Sequence, residues 1–300
     1  MNTQKRKFKG DKGELIFYSL LVALPILQIL IFYFYVNFNS VMLAFKEYDG
    51  GVDFSWNFGA NFPDLWKDIK SLKLLIALKN SLIVWFFTSV VGTFLAIVFA
   101  YYIYKKWALA KTFKFFLFLP SVFPSILLVS VYKFFVNNAL SGPIGIFGPD
   151  FLLGRGTDTL FPTIVFYNVW ICFGAQLLIY TGAMDQIAPD VIEAGQIDGV
   201  TPIRECFSIV IPMILPTIST FIIANVATLF TNQANLFAFF GGESVLPQDM
   251  TIGYYLFSLV GENGHMDKYP YASMLGIICT LIVFPLTVLV RRLLNGKEDA

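Results

Sequence analysis

Six stretches of this chain are apolar over about 20 residues or more: 15–36, 81–104, 113–136, 160–181, 214–234 and 271–290. A helix rises about 1.5 Å per residue, so roughly 20 apolar residues reach across the hydrocarbon core of a bilayer. Lipid offers no hydrogen bonds, so a crossing segment must satisfy its own backbone, and each stretch is read as a helix. The expected fold is an all-α integral membrane protein with six transmembrane helices. Composition agrees: only 14% of residues are charged and 57% are hydrophobic, against roughly 25% charged in soluble domains. The basic start (Lys5-Arg6-Lys7-Phe8-Lys9, then Lys12) before an apolar run has the look of a secretory signal. The run is too long for one and has no small-residue cleavage site, so it is read as a retained first span.

Lysines and arginines in short flanks orient such a chain. The basic start, the hinge of Lys105, Lys106, Lys111 and Lys114, and Arg291, Arg292 and Lys297 all fall on one side if there are six spans. That side is the cytoplasm, for both termini and for the loop 185–212. The chain divides into an N-terminal arm (1–14), a membrane domain (15–290) and a tail (291–300). The outer segments are 37–80, with an amphipathic piece near 64–78; 137–159, marked as a loop by Gly142-Pro143, Gly145 and Gly148-Pro149; and 237–270, where Gly241-Gly242 reads as a turn or hinge. Gly92, Ala96 and Ala100 recur every four residues, a stripe that lets helix backbones approach closely. Pro120, Pro124, Pro212 and Pro216 each remove a backbone donor and mark either kinks or tolerated prolines.

Little here can do covalent chemistry. No catalytic constellation, metal-ligand spacing or cofactor motif is present, so no enzyme, metal or cofactor is expected. The single histidine, His265, sits in an outer loop, and Cys172, Cys206 and Cys279 are scattered. There is no phosphate loop, so a pump built on this chain must borrow its ATPase. A net charge of +1 gives no reason to expect nucleic acid. Acids and bases are largely missing from the middle of the spans, which argues against proton coupling and for a neutral solute. Polarity within the membrane gathers in the fifth span. Asn225, Thr228, Asn232 and Asn235 recur at three- and four-residue steps, one face of a helix. Tyr167, Trp170 and Tyr180 on the fourth span, and Phe237, Phe239 and Phe240, add aromatic rings. Amides beside flat rings suit a polyhydroxylated solute; interhelical hydrogen bonding is the plainer use of the same residues.

The loop 185–212 holds Asp185, Asp190, Glu193, Asp198, Arg204 and Glu205 in a chain that is otherwise mostly apolar. Pro189 fits the first turn of a helix, with Asp190 at its positive end. Val191, Ala194 and Ile197 form one apolar side, Gly199 ends the helix, and Pro202 opens a second helix running toward Pro212. Such an elbow can dock into a groove on another protein or rest on the membrane surface.

Glu193-Ala194-Gly195, Gly199 six residues after Glu193, then Ile209 and Ile211-Pro212 resemble the EAA loop of binding-protein-dependent ABC importer permeases. Asp198 before the glycine also fits. Gly195 replaces the usual second alanine and Ile211 the usual leucine; Gly195 is expected to loosen the first helix. The resemblance extends through Trp170, Gly174, Gly182, Ile187 and Pro189, to Pro120 and Pro124, and to Arg291-Arg292. It covers roughly 75–295 and is nearest the maltose and multiple-sugar branch. It implies the type I ABC importer permease fold and a coupling role for Glu193, Ala194, Gly195, Asp198, Gly199, Ile209 and Pro212. It also implies partners: two cytoplasmic ATP-binding subunits, a second homologous permease and an extracytoplasmic solute-binding protein. A sugar would then pass through a cell-membrane pathway that this chain half encloses. The competing expectation is a stand-alone carrier or channel, which would need an ion site that the sequence does not offer.

Overall fold

The computed structural model describes residues 12–51, 53–140, 146–148, 150–241, 245–261 and 265–295. The basic start before Lys12, Gly142, Pro143, Gly145, Pro149, Gly242 and Lys297 lie outside the described residues. Among the described residues, four helices are long and apolar enough to cross a membrane: Ile16–Leu43, Lys73–Tyr104, Leu160–Met184 and Met266–Leu294. Two more crossings form if each of two bent helix pairs counts as one, which gives the expected six. Ala110–Val122 meets Ser125–Leu140 at 111°, and Pro202–Met213 meets Leu215–Ala227 at 69°.

Proline makes both bends. Pro124 forces the residue before it out of the helical region, and Phe123 is extended at φ −86°, ψ 147°. Pro216 has no N–H to return to the carbonyl of Pro212, and Ile214 leaves the helix at φ −95°, ψ 7°. Several expected boundaries move. The first span runs on to Leu43, and the second begins at Lys73 instead of Ser81, because apolar side chains continue past the polar residues used to end them.

Between the first two spans lies a short antiparallel hairpin, Lys46–Tyr48 with Phe54–Trp56, in register Lys46 opposite Trp56. Helix Phe62–Lys70 follows, with Pro63 in its first turn. Asp68 accepts hydrogen bonds from the hydroxyls of Tyr255 and Tyr271, the latter at 2.6 Å. This gathers helix Phe62–Lys70, helix Ile252–Val260 and the start of the last span at one end of the bundle. The loop 185–212 lies at the other end, with Lys105.

The small-residue stripe does what its spacing predicts. Ala96 and Ala100 are fully buried, and the segment Gly92–Tyr104 packs along Leu160–Met184. Gly174 brings that long helix against Ala110–Val122: an added Cβ would stand 2.5 Å from the carbonyl oxygen of Leu117. The first span is different. Its side chains are largely exposed, and its end, Val36–Leu43, packs on the last helix.

Candidate functional site: a polar cavity and a solvent-facing elbow

The fifth span does not remain helical. Helix Leu215–Ala227 stops, and Thr228 to Asn235 follows as turns, with Ala234 and Asn235 at positive φ. The expected single helix face for Asn225, Thr228, Asn232 and Asn235 is therefore corrected. Short polar side chains compete with the helix for backbone groups. Asn232 Oδ1 accepts from the Ala234 N–H at 2.8 Å, and Thr231 Oγ1 donates to the Thr228 carbonyl at 3.3 Å.

Irregular backbone at membrane depth is tolerated where protein satisfies it or where it lines a cavity. Both hold here. Asn168 Nδ2 donates to the Ala234 carbonyl at 2.9 Å, and Asn235 Nδ2 donates to Asn168 Oδ1 at 2.8 Å. Thr251 Oγ1 donates to the Asn232 carbonyl at 3.1 Å. Gly253 lets helix Ile252–Val260 approach the same unwound strand.

The four polar residues meet all the same, around a cavity of about 220 Å³. Asn168 and Cys172 line it from the fourth span, Trp85, Thr88 and Ser89 from the second. Thr88 and Ser89 lie in a widened turn, Phe87–Val91, of the π-helical kind that often marks functional sites. No lining side chain is an acid or a base. Trp85 Nε1, Ser89 Oγ and Asn225 Nδ2 are buried with no hydrogen-bond partner among the described residues. Each such group costs about 1–3 kcal/mol, so three around one cavity call for an explanation. Sequence reasoning missed Trp85, Thr88, Ser89 and Asn168, since single polar residues in an apolar run carry no periodic signal. Tyr167 and Trp170 do not line this cavity. Tyr167 is fully buried and packs with Tyr132, Trp170 and Phe239, ring centroids 4.9–6.1 Å away. Tyr180 is also core, against Phe221.

The elbow forms two helices, Pro189–Ile197 and Pro202–Met213. Gly199, at φ +73°, ends the first. The Gly199 N–H donates to the Gln196 carbonyl and the Val200 N–H to the Gly195 carbonyl, both at 3.0 Å. This is the paired-bond helix stop that a left-handed glycine permits. Val191, Ala194 and Ile197 are all exposed, Ile197 at 86%, as are Glu193 and Asp198. The inward face, unforeseen, consists of Ile192 and Gly195. A Cβ on Gly195 would lie 2.7 Å from Ile209 Cδ1. Two positions of the motif, 195 and 209, thus pack on each other, and glycine seats the first helix on the second. The expected loosening gives way to close contact. Pro212 sits in the last turn of the second helix, just before the bend.

The chain's residues 89–296 match the family described as the inner membrane component of binding-protein-dependent transport systems. The chain belongs to that family. MsmF of Streptococcus mutans, a multiple sugar-binding transport system permease protein, is 24% identical to the permease over 280 residues, 91% of this chain and 92% of the relative. GlcT of Saccharolobus solfataricus, a glucose import system permease protein, is 27% identical over 186 residues. That match takes in 55% of this chain and 63% of GlcT. A bacterial ABC transporter that imports the acidic polysaccharide alginate has a chain of the same fold, with TM-score 0.77, 20% identity and 95% and 96% coverage. The fold is that of a type I ABC importer permease, and this chain is a transport component, not an enzyme.

Proposed function

We propose that this permease carries a neutral sugar or oligosaccharide through the cavity bounded by Asn225, Thr228, Asn232 and Asn235, as half of an ATP-driven import pathway. One observation carries the reading. Three buried polar groups without partners among the described residues, Trp85 Nε1, Ser89 Oγ and Asn225 Nδ2, converge on an uncharged cavity already lined by amides. Hydroxyls of a passing sugar can donate to and accept from such a set, whereas an ion would find no opposite charge. The sugar-transport names of MsmF and GlcT support the same class. Tyr167 and Trp170 then buttress the pathway from behind.

The elbow is the coupling element. Its exposed Val191, Ala194 and Ile197 offer an apolar stripe, and Glu193 a carboxylate, to a cleft on a cytoplasmic ATP-binding subunit. Two such subunits, a second homologous permease and an extracytoplasmic binding protein complete the assembly. The elbow, the Lys105 hinge and Arg291-Arg292 face the cytoplasm with both termini, as basic flanks do. Residues 15–290 form the membrane domain, 1–14 and 291–300 its cytoplasmic ends. A stand-alone carrier is the weaker reading, since the cavity offers no charged group for ion coupling.

The test is uptake of labelled sugars by the complete transporter in proteoliposomes. Glu193→Lys is expected to insert normally and abolish uptake. Asn225→Leu removes one neutral hydrogen bond, worth about 0.5–1.5 kcal/mol, and should slow uptake about two- to tenfold. Normal uptake by Glu193→Lys would refute the docking role; an unchanged rate for Asn225→Leu would remove the cavity from the pathway.

A further inference from the structure

Glu205 belongs to the elbow, whose first helix is mostly exposed, yet it is itself only 2% exposed. Its carboxylate accepts from Lys105 Nζ at 2.9 and 3.1 Å. The Tyr101 hydroxyl lies 3.1 Å from the same carboxylate and 2.9 Å from the Pro202 carbonyl oxygen, so its single proton is shared between them. Tyr101 and Lys105 belong to the last turn of the second span. Pro202 and Glu205 belong to the first turn of the elbow's second helix. The two elements are pinned together at one point by charge-assisted bonds.

Stability alone does not call for this arrangement. A buried ion pair replaced by apolar groups of similar volume is often neutral for stability. What the pair does give is a fixed geometry, and the geometry lies on a continuous path. The elbow's exposed first helix packs through Gly195 on Ile209 of the second helix. That second helix carries Glu205, and Glu205 holds Lys105. The second span then runs back from Lys105 to Ser89, Thr88 and Trp85 at the cavity, 16 to 20 residues away in sequence. At 1.5 Å per residue this is about 24–30 Å of continuous helix, which reaches the cavity in the widened turn Phe87–Val91.

We propose that the Lys105–Glu205–Tyr101 joint makes the elbow and the second span move as one body, so that force on Glu193 and Ile197 reaches the cavity wall. Glu205 is a positioning residue in this scheme, and the proposal rests on the reading that the elbow docks on an ATPase. Adjacency alone does not establish coupling; a coupling measurement does.

The complete transporter, with its ATP-binding subunits and binding protein, is reconstituted in proteoliposomes, and solute moved per ATP hydrolysed is measured. Glu205→Gln and the double variant Lys105→Met with Glu205→Met are expected to assemble and hydrolyse ATP, with that ratio lowered at least tenfold. The double variant leaves no lone buried charge, so it gives the answer if Glu205→Gln does not accumulate. A third variant carries Lys105→Cys and Glu205→Cys, with Cys206 and Cys279 replaced by alanine and Cys172, which lines the cavity, left in place; the same background without the two new cysteines, treated alike, is the control. Bridging it with a short bis-methanethiosulfonate cross-linker, which forms a disulfide at each cysteine with loss of methanesulfinate, should restore the ratio, and cleaving the bridge with a reductant should lower it again. A merely structural contact would not switch coupling on and off in one folded protein. A wild-type ratio in the double variant, or a bridge that halts transport, overturns the joint. If that happens while Glu193→Lys still abolishes uptake, the joint alone has failed. If Glu193→Lys transports normally, the docking reading fails and takes the joint with it.

Discussion

At Gly253 a helix packs directly on the unwound strand of the cavity, and replacing this glycine with alanine tests whether that strand must stay where it is. The added Cβ would stand 2.6 Å from the carbonyl oxygen of Asn232 and 2.7 Å from the backbone carbons of Thr231 and Asn232. Ordinary contact begins at 3.4 Å, so the oxygen is 0.8 Å too close. These are backbone atoms, and a rotamer change cannot relieve them. The Asn232 carbonyl is also held by Thr251 at 3.1 Å, and Ile252 N–H is held by Ser81 Oγ at 2.9 Å, so neither side yields freely. Overpacking of this kind costs about 1–3 kcal/mol. Alanine returns at most about 1 kcal/mol of helix propensity. The strand bearing Asn232 is then pushed into the cavity or the helix away from Ser81. A clash with backbone falls in the upper half of that range, so a net cost of about 1–2 kcal/mol remains; taken as lost population of the competent cavity, it predicts an uptake rate lower by roughly fivefold to thirtyfold. The assay is initial-rate uptake in proteoliposomes, with a thermal melt of the purified permease beside it. Unchanged uptake together with an unchanged melting temperature would refute the claim that close approach at Gly253 shapes the site.

Two further substitutions have opposite expectations. Gly195→Ala restores the residue usual at that motif position but brings its Cβ within 2.7 Å of Ile209 Cδ1, the mobile end of a side chain; a rotamer shift absorbs it, so uptake should stay within about threefold of wild type, and the melt should move by less than that of Gly253→Ala. Asp249 is 3% exposed with Oδ2 unpartnered among the described residues, and burial raises its pKa above the ordinary 3.8. Its folded form binds the proton more tightly, so wild-type stability falls as pH rises from the unfolded value through the folded one. Asp249→Asn should therefore raise the melting temperature at pH 7, with the gain vanishing as pH drops below about 4. A gain that is the same at both pH values would show that the carboxylate is not the cause.

The sequence alone determined the membrane environment and the apolar stretches that the four long helices and two bent pairs occupy, because apolar length is a local property that lipid reads directly. It also determined the elbow's outline: Pro189 starts a helix, Gly199 stops it by a left-handed turn, and Val191, Ala194 and Ile197 share one side whatever surrounds them. The small-residue stripe at Gly92, Ala96 and Ala100 was legible for the same reason. The cavity was only half legible. Four polar residues of the fifth span pointed to it, but their helical spacing misled, since the helix ends at Ala227. That ending depends on Asn168, Thr251 and Gly253, residues 19 to 66 positions from the groups they satisfy or admit in the unwound strand. Trp85 and Ser89 looked like ordinary members of an apolar run until packing buried Trp85 Nε1 and Ser89 Oγ without partners among the described residues. Tyr167 looked like pathway until packing enclosed it. Glu205 looked like one more acid in a polar loop, and only the meeting of two distant helices set Lys105 against it. A backbone's preferences are set by its neighbours in sequence; the pairing of a buried polar group is set by whatever the fold brings to it.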